Sequence, residues 1–356
     1  MHDKVFAGGR NSAAELEQFS REIGGMDMMP LWERDASAMT PGTKCVPRLW
    51  RYADVHPALM RSIGLISKRQ AERRVLVLEN PSLRGSTYIV NSLYAGLQAI
   101  APGEIAPSHR HTPNALRFLI EGEGGYTAVG GERAMMRPGD FVVTPSWAWH
   151  DHGNLGDGPV VWLDGLDTAI AKFFGATFRE DHSNETHPIV RAEGESFAAY
   201  GANMLPLAGN AEKLHSPILL YPYERSRAAL EKMRLADRIH PAHGAKLRYS
   251  NPVTGGHPFP TMSAFMQLLP ARFRGRHYRS TDNAVFVIVE GRGVVEIVDQ
   301  SFEFAAHDVL AAPAWSRIRF VTEEPAVIFS YSDRAAQEKL GFWREDVQGG
   351  DGSPDV

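Results

Sequence analysis

Three histidines in one stretch of the sequence are spaced so that a single metal ion could bind all of them. His109 and His111 are two residues apart, and in an extended strand such side chains point to the same face while Arg110 points to the other. His150 lies further along the chain. Imidazole nitrogen binds zinc, copper, nickel and iron, so these residues predict a metal site without selecting the metal.

The sequence between the histidines predicts short antiparallel strands that would bring the three side chains together. Hydrophobic residues from Leu116 to Ile120 and from Tyr126 to Val129 flank a glycine-rich turn, which is typical of a hairpin. A second turn at 137–140 precedes a short strand at 141–145, and His150 follows on the next segment. A small antiparallel barrel of such strands would return His150 to the first pair.

This stretch resembles the two signature motifs of the cupin family. The first motif is matched by Gly103, His109, His111 and Gly122, and the second by Gly139, Pro145, His150 and Asn154. Ala115 stands where many cupins place a glutamate ligand, which leaves three histidines and no carboxylate. That pattern, together with His-Arg-His-Thr and Arg-Phe shortly after it, is similar to the gentisate 1,2-dioxygenase group of ring-cleaving enzymes.

The second half of the chain repeats the pattern without its metal ligands. The segment 270–293 can be aligned with 101–124, and 308–315 with 140–147. In this alignment Tyr278, Ser280 and Ile318 take the places of His109, His111 and His150. We therefore expect a second barrel with a structural or assembly role. A residual site that uses His277 and His307 is the alternative.

These observations predict a mainly β, bicupin fold. It would consist of two small antiparallel β-barrels of the double-stranded β-helix (jelly-roll) type, with N-terminal and linker helices. The expected parts are an N-terminal helical arm with leading strands (1–86), a first barrel with the metal site (87–175), a linker with a helix (176–240), a second barrel (241–335) and a C-terminal tail (336–356). Helices are expected at Asn11–Ile23, Pro57–Arg69 and Ser226–His240.

Composition narrows the class of protein. The chain has 356 residues, of which 43% are hydrophobic, so it can bury more than one core. Its net charge of −4, with both signs interspersed, argues against nucleic-acid binding. No apolar run approaches the roughly 20 residues of a membrane helix, and Cys45 has no second cysteine with which to form a disulfide. We expect a cytoplasmic protein without nucleic-acid or membrane partners.

The resemblance extends over roughly Pro30 to Asp346 and carries implications for the reaction. It implies Fe(II), O2 and an aromatic o-hydroxycarboxylate whose ring is cleaved between the carboxylate-bearing and hydroxyl-bearing carbons. Gentisate, giving maleylpyruvate, is the first expectation; salicylate, a substituted salicylate such as nitrosalicylate, or 1-hydroxy-2-naphthoate are alternative substrates. A non-catalytic cupin that binds a metal or small ligand is the alternative of another class. The resemblance also implies a homotetramer.

Two further residues are expected beside the metal from their strand parity. Arg117 lies six residues beyond His111, an even offset that allows it to share the inward face, where its guanidinium would bind the substrate carboxylate. His152 shares the parity of His150 and is expected to hydrogen-bond substrate or oxygen, or to transfer a proton.

Other pocket residues are expected mainly from the resemblance. One of the adjacent residues Arg73 and Arg74 would supply a second anion contact, and the family position matches Arg73. Asp164 would orient a histidine or arginine from behind. The ring pocket would be lined by Tyr94 and Gln98, whereas Trp147 and Trp149 are expected to be packing residues.

Overall fold

The computed structural model describes residues 13–33, 40–67, 73–208 and 214–347, which divide into two units, Met1–Gly42 and Thr43–Val356. In the first unit, helix α1 spans Ala13–Gly24 and a 3-10 turn spans Leu31–Glu33. The expected helix cap at Asn11 or Ser12 and the tail from Gln348 onward lie outside the described residues. None of the helices in the described ranges is long and apolar enough to cross a membrane.

The second unit is built mainly of strands. Its helices are α2 (Tyr52–Leu65), α3 (Thr168–Phe173), α4 (Glu195–Tyr200), α5 (Tyr223–Leu235) and α6 (Arg334–Lys339). The strands of its first half are β1 (Arg48–Trp50), β2 (Val75–Val77), β3 (Tyr94–Ile100), β4 (Ile105–His111), β5 (Ala115–Glu121), β6 (Gly125–Val129), β7 (Glu132–Met135), β8 (Phe141–Thr144), β9 (His150–Asn154), β10 (Val160–Leu166) and β11 (Arg179–Asp181). Those of its second half are β12 (Leu220–Tyr221), β13 (Ala245–Arg248), β14 (Ser263–Leu269), β15 (Tyr278–Ser280), β16 (Ala284–Glu290), β17 (Arg292–Ile297), β18 (Gln300–Ala305), β19 (Val309–Ala312), β20 (Ile318–Val321), β21 (Ala326–Ser332) and β22 (Glu345–Val347).

The strands form two barrels, each made of two antiparallel sheets, which confirms the mainly β bicupin fold. The first barrel has the strand orders β12-β8-β5-β10-β3-β2 and β11-β4-β9-β6-β7. The second has the orders β1-β19-β16-β21-β14-β13 and β18-β17-β20-β15-β22. The two barrels each include a strand from the other half of the chain. Strand β1, which precedes the first barrel in sequence, pairs with β19 of the second barrel. Likewise β12, which precedes α5, pairs with β8 of the first barrel.

For two helices the predicted first residue is wrong, and the physical reason is the same in both. Helix α2 starts at Tyr52 instead of Pro57, and its first N–H donates to Asp308 Oδ1 at 2.7 Å. Helix α5 starts at Tyr223 instead of Ser226, and its first N–H donates to Asp140 Oδ1 at 2.8 Å. Each aspartate accepts from an otherwise unpaired helix-terminal donor. Because each lies far away in sequence, a local capping rule could not locate these starts.

The strand register confirms the internal repeat. His109 pairs with His150 across β4 and β9, and Tyr278 pairs with Ile318 across β15 and β20. The third position agrees, because Trp147 N–H donates to the His111 carbonyl and Trp315 N–H donates to the Ser280 carbonyl. The three metal-ligand positions of the second barrel therefore hold a tyrosine, a serine and an isoleucine.

Strand alternation assigns the two faces of β5 to different surroundings. Phe118 points away from the first barrel's interior and stacks on Phe329 of the second barrel, with ring centroids 4.2 Å apart. This contact belongs to a large buried cluster that contains residues of both barrels. Arg117, one position earlier, points to the opposite face. The inter-barrel core therefore holds the strand that presents Arg117 inward.

The two glycines of the first cupin motif differ in what surrounds them. Both adopt positive φ, +72° at Gly103 and +93° at Gly122. A Cβ at Gly103 would meet nothing within 4 Å, but a Cβ at Gly122 would lie 2.5 Å from the carbonyl oxygen of Pro159.

We therefore expect Gly103→Ala to lower the free energy of unfolding by about 1 to 2 kcal/mol, the cost of left-handed backbone. Gly122→Ala should lower it by about 1 to 3 kcal/mol more, because the methyl group also overpacks against backbone. Denaturant titration of the two variants measures this difference. Equal losses would contradict the steric explanation for Gly122.

Candidate metal centre

The three predicted ligands converge on one point inside the first barrel. Strand β4 carries His109 and His111 on one face, and β9 begins with His150. One ligand nitrogen from each of the three rings lies within 4.8 Å of the other two. The ring centroids are 4.1 Å apart for His109 and His150, and 4.8 Å apart for His111 and His150. The period-two spacing of a strand thus does produce the predicted cluster.

Backbone carbonyls set the tautomer of all three rings. The Nδ1 atoms of His109, His111 and His150 lie 2.9, 2.8 and 2.8 Å from the carbonyl oxygens of Pro107, Pro113 and Ala148. A carbonyl oxygen only accepts, so each Nδ1 carries the proton and each Nε2 keeps a lone pair. This is the ring state that a metal ligand requires, with its second nitrogen anchored.

The surroundings of the His150 Nε2 atom agree with that assignment. For His109 the assignment rests on the Pro107 carbonyl, because one Arg73 side-chain nitrogen contacts both ring nitrogens and does not distinguish them. His150 Nε2 is fully buried and has no hydrogen-bond partner among the described residues. Buried polar atoms are nearly always paired in folded proteins. A buried acceptor nitrogen without a partner, close to ligand nitrogens of His109 and His111, is the arrangement expected around a metal ion.

The surroundings keep the three imidazoles neutral. Burial, followed by the charge of Arg73, lowers the pKa of His109 to about 2, and burial lowers the pKa of His111 to about 4. Burial also holds the pKa of His150 well below its usual value, helped by the two neighbouring histidines. Neutral imidazole is the form that binds metal, so no proton has to be displaced near neutral pH.

Arg117 lies beside the histidines, buried and ion-paired. Its guanidinium Nη1 donates to Thr144 Oγ1 at 2.8 Å, and its Nε lies 3.1 Å from Asp164 Oδ1. Arg117 is 4% exposed and Asp164 is 6% exposed. Burial lowers the pKa of Arg117 and raises the pKa of Asp164, while each charge opposes the shift of the other. Asp164 was expected to orient a histidine or an arginine, and the residue it contacts is Arg117.

The structure distinguishes the two adjacent arginines that sequence parity left open. Arg73 points toward the centre and contacts His109, whereas Arg74 points away. Arg74 is buried in a bidentate ion pair with Glu104 and also donates to the carbonyl oxygen of Ile66 at 2.7 Å. Of these two arginines, Arg73 is the one placed to contact a molecule bound at the metal centre.

His152 lies on the same strand face as His150, with ring centroids 5.4 Å apart. The ring is fully buried, and its Nδ1 is 3.2 Å from the Thr127 hydroxyl. Its Nε2 has no partner within the described part of the chain. Burial, and next the charge of Arg117, lowers the pKa of His152 well below the usual value. A neutral imidazole with one unused nitrogen therefore stands beside the three ligands.

Strand β3 carries the two residues that were predicted to line the ring pocket. Gln98 is 1% exposed, and neither its amide nitrogen nor its amide oxygen has a hydrogen-bond partner among the described residues. Tyr94 is half-buried; burial, followed by the charge of Asp164, raises the pKa of its hydroxyl. A Cβ at Gly96 would lie 2.5 Å from that hydroxyl. Both predicted pocket residues thus belong to the strand that faces the centre.

The two tryptophans near His150 do not face the centre. Trp147 and Trp149 hold the guanidinium of Arg110 between them, with the Arg110 Cζ 4.4 and 4.5 Å from the ring centroids. The same guanidinium donates to Glu180 at 2.6 Å. This outer cluster supports the expectation that the tryptophans pack, and it shows that Arg110 points away from the histidines.

Several contributors to the site carried little or no sequence signal. Strand β11 lies in a region without hydrophobic periodicity, yet it pairs with β4 so that Arg179 is opposite His111 and Asp181 is opposite His109. Thr144 and Thr127 hold Arg117 and His152 through single hydroxyl contacts. Inward parity on β8 and β6 was the only available indication of these threonines.

The alternative site of the second barrel is not assembled. Charged neighbours of His277 are Arg319, Arg317 and Glu296, whereas those of His307 are Glu121, Asp308 and His56. The two side chains thus have separate surroundings. In the described ranges, the first-barrel triad is the one group of three or more His, Cys, Asp or Glu side chains placed to hold a metal.

Comparisons with known proteins agree with this geometry. Residues 96–165 match the family model described as "Cupin domain". The chain is 48% identical to gentisate 1,2-dioxygenase 1 of Aquipseudomonas alcaligenes over 93% of this chain and 96% of that protein. It is 33% identical to a 1-hydroxy-2-naphthoate 1,2-dioxygenase of Nocardioides sp. (strain KP7), over 94% and 89% of the two chains. A crystal structure of salicylate 1,2-dioxygenase from Pseudoaminobacter salicylatoxidans with gentisate has 31% identity and a TM-score of 0.90, covering 98% of each chain.

Proposed function

The chain belongs to the gentisate 1,2-dioxygenase family of ring-cleaving cupin enzymes, and on this basis we propose that it is an Fe(II) enzyme that converts gentisate and O2 to maleylpyruvate. The observation that carries the proposal is the cluster of three neutral histidines with the buried Arg117 and the half-buried Arg73 beside it. All atoms of both substrates are retained in the product, since the ring opens between the carboxylate-bearing and hydroxyl-bearing carbons and both oxygen atoms are added.

The donor set fits Fe(II). Three neutral imidazole nitrogens on one side of an ion leave its remaining positions open and its charge uncompensated. When bound, Fe(II) supplies positions for substrate and O2 and a route for electrons from the ring to oxygen. Because no carboxylate ligand offsets the charge at His109, His111 and His150, an anionic chelating substrate is favoured over a neutral one.

The arginines are placed to bind the substrate carboxylate. Arg117 stands beside the ligand cluster with its orientation set by Asp164 and Thr144. Arg73 also reaches the cluster, where it contacts His109. We propose that Arg117 binds the carboxylate and that Arg73 adds a second cationic contact, since charge-assisted hydrogen bonds of this kind fix both position and orientation.

The other pocket residues position the ring and handle a proton. We propose that Gln98, whose two amide atoms have no partner in the described part of the chain, and the Tyr94 hydroxyl contact the ring substituents. His152 presents its free Nε2 toward the same space and is proposed to hydrogen-bond the reacting groups or move a proton between them.

A substrate panel tests the choice of substrate. Salicylate, a nitrosalicylate and 1-hydroxy-2-naphthoate remain alternatives, and the naphthoate- and salicylate-cleaving relatives favour keeping them. We expect kcat/KM under O2, followed by ultraviolet absorbance of Fe(II)-loaded protein, to be largest for gentisate. A larger kcat/KM for one of the others would transfer the assignment to that substrate. Inactivity on every o-hydroxycarboxylate would contradict the proposed reaction.

His152→Asn is expected to keep the iron and lose turnover. Positioned proton-transfer groups contribute about 10²- to 10⁴-fold, so kcat should fall by roughly this factor with iron content unchanged. His187→Asn is a matched control, because His187 is also buried and bonds Asp151, the neighbour of His152, at 2.6 Å. The control should lose stability and keep kcat. Unchanged kcat in His152→Asn would remove this residue from the reaction.

We also propose that the protein assembles as a homotetramer in the cytoplasm. Large apolar side chains remain exposed on the surface of the second unit, and four of them are Phe173, Phe174, Leu340 and Phe342. Exposed apolar surface of this kind commonly marks a protein interface. Sedimentation equilibrium of the full chain measures the mass, and a monomer at all concentrations would contradict the assembly.

A further inference from the structure

The second barrel encloses a pocket where the first barrel has its metal centre. The pocket has a volume of about 50 Å³, and its lining includes Tyr278, Ser280 and Ile318, the counterparts of the three ligands. Apolar rings line part of it, since Phe286 stands at the position of Arg117 and Phe265 at that of Gly96. The barrel has therefore lost its metal ligands and its arginine while keeping an internal cavity.

A lysine replaces the lost cation from a different strand. Lys246 on β13 pairs with Gln267 on the neighbouring strand β14, and both residues line the pocket. Its Nζ lies 4.7 Å from the ring centroid of Phe265 and makes no hydrogen bond or ion pair with the described residues. Burial lowers its pKa to about 8, against the attraction of Asp282.

The two arginines of the pocket lining are already paired, and Asp282 accepts a hydrogen bond from a neutral group. Arg279 forms an ion pair with Asp346 at 2.7 Å, and Arg334 forms one with Glu338 at 2.6 Å. Asp282 accepts from the Trp343 indole at 3.0 Å. Within the described part of the pocket lining, Lys246 is thus the lysine or arginine without an ion pair, although the charge of Asp282 acts on it. Its half-buried ammonium can therefore still donate to an anion inside the pocket.

Gln267 gives an independent indication of a ligand. It is 1% exposed and lines the pocket, yet neither its amide nitrogen nor its amide oxygen has a partner among the described residues. Gln98, at the equivalent position of the first barrel, likewise has no partner for either amide atom among the described residues. Unsatisfied buried amides are rare enough to require an explanation. A bound polar molecule that accepts from the Gln267 amide would provide it.

We propose that this pocket binds a small monoanion of the carboxylate type, such as formate, acetate or bicarbonate, between Lys246 and Gln267. The anion accepts hydrogen bonds from the Lys246 ammonium and the Gln267 amide nitrogen. Size limits the ligand: about 50 Å³ holds roughly three to four water molecules, and a cavity that binds benzene has about 150 Å³. The aromatic substrate of the first barrel is therefore excluded, and the site is independent of the proposed reaction.

Bromide soaked into crystals of the full chain tests the location. Anomalous scattering should show bromide beside Lys246 Nζ in the second barrel, and a separate peak near Arg73 and Arg117 in the first. In Lys246→Met the second-barrel peak should disappear while the first-barrel peak remains as an internal control. A wild-type protein with bromide in the first barrel and none near Lys246 would overturn the proposal.

Calorimetric titration with formate tests the affinity in solution. Lys246→Met should bind formate at this site at least tenfold more weakly than the wild type, and Lys232→Met, which removes an exposed lysine of α5, should bind it unchanged. If Lys246→Met fails to fold, Gln267→Leu replaces it as the test variant. Gln267→Leu should also bind formate more weakly than the wild type. Unchanged formate binding in a folded Lys246→Met or Gln267→Leu variant would overturn the assignment.

Discussion

Replacing His150 by alanine is expected to remove the bound metal and abolish ring cleavage. His150 is fully buried, its Nδ1 is anchored by the Ala148 carbonyl, and its Nε2 has no partner in the described structure. A metal contributes several kcal/mol to a reaction barrier, and each 1.4 kcal/mol is tenfold in rate. We therefore expect at least about a thousandfold loss of kcat/KM, measured with iron content by atomic absorption.

A histidine outside the cluster separates ligation from general damage. His182 lies over Trp149, away from the three ligands, so His182→Ala should keep both iron and turnover. The same loss is expected for His109→Ala and His111→Ala, because all three nitrogens are needed at one point. An iron-free His150→Ala protein with full activity would exclude the metal mechanism.

Arg117→Met is expected to weaken substrate binding strongly and also to destabilise the fold. Truncating one side of a buried charge contact costs about 2 to 5 kcal/mol of binding, which is at least about thirtyfold in the dissociation constant. The substitution also leaves the buried carboxylate of Asp164 unpaired, at a cost of about 3 to 5 kcal/mol of stability. Anaerobic substrate titration and denaturant unfolding measure the two effects.

Two further variants separate these effects. Arg74→Met also breaks a buried arginine–carboxylate pair, with Glu104, but away from the centre; it should lose stability and retain substrate affinity. The double variant Arg117→Met/Asp164→Leu removes the unpaired carboxylate and should regain stability without regaining affinity. If Arg117→Met leaves substrate affinity and kcat/KM unchanged, Arg117 does not bind the carboxylate.

The metal centre was predictable because its determinants are local. The two-residue spacing of His109 and His111 sets their common face, and the same parity on β9 placed His152 with His150. Arg117 also faces inward, but parity with His111 does not explain this, because β4 ends at His111 and Arg117 lies on β5 in the other sheet. The repeat could be aligned residue by residue, so the loss of ligands at Tyr278 in the second barrel followed from the sequence.

Features that depend on distant contacts were not predictable. The starts of α2 and α5 depend on Asp308 and Asp140, which come from other parts of the chain. Strand parity could not decide between Arg73 and Arg74, because the decision rests on the ion pair with Glu104. Lys246 was also missed, since its position in the pocket follows from pairing of β13 with β14 and from no motif.

Stoichiometry of a reaction started by O2 tests the central claim most directly. Metal-free protein would be loaded anaerobically with Fe(II), freed of excess metal, mixed with gentisate and exposed to a measured amount of O2. The account predicts one iron per chain and one O2 consumed for each gentisate converted to maleylpyruvate, with no iron and no O2 uptake in His150→Ala. Gentisate cleavage at full rate by chelator-treated protein, or bound iron without O2 uptake on any o-hydroxycarboxylate, would contradict it.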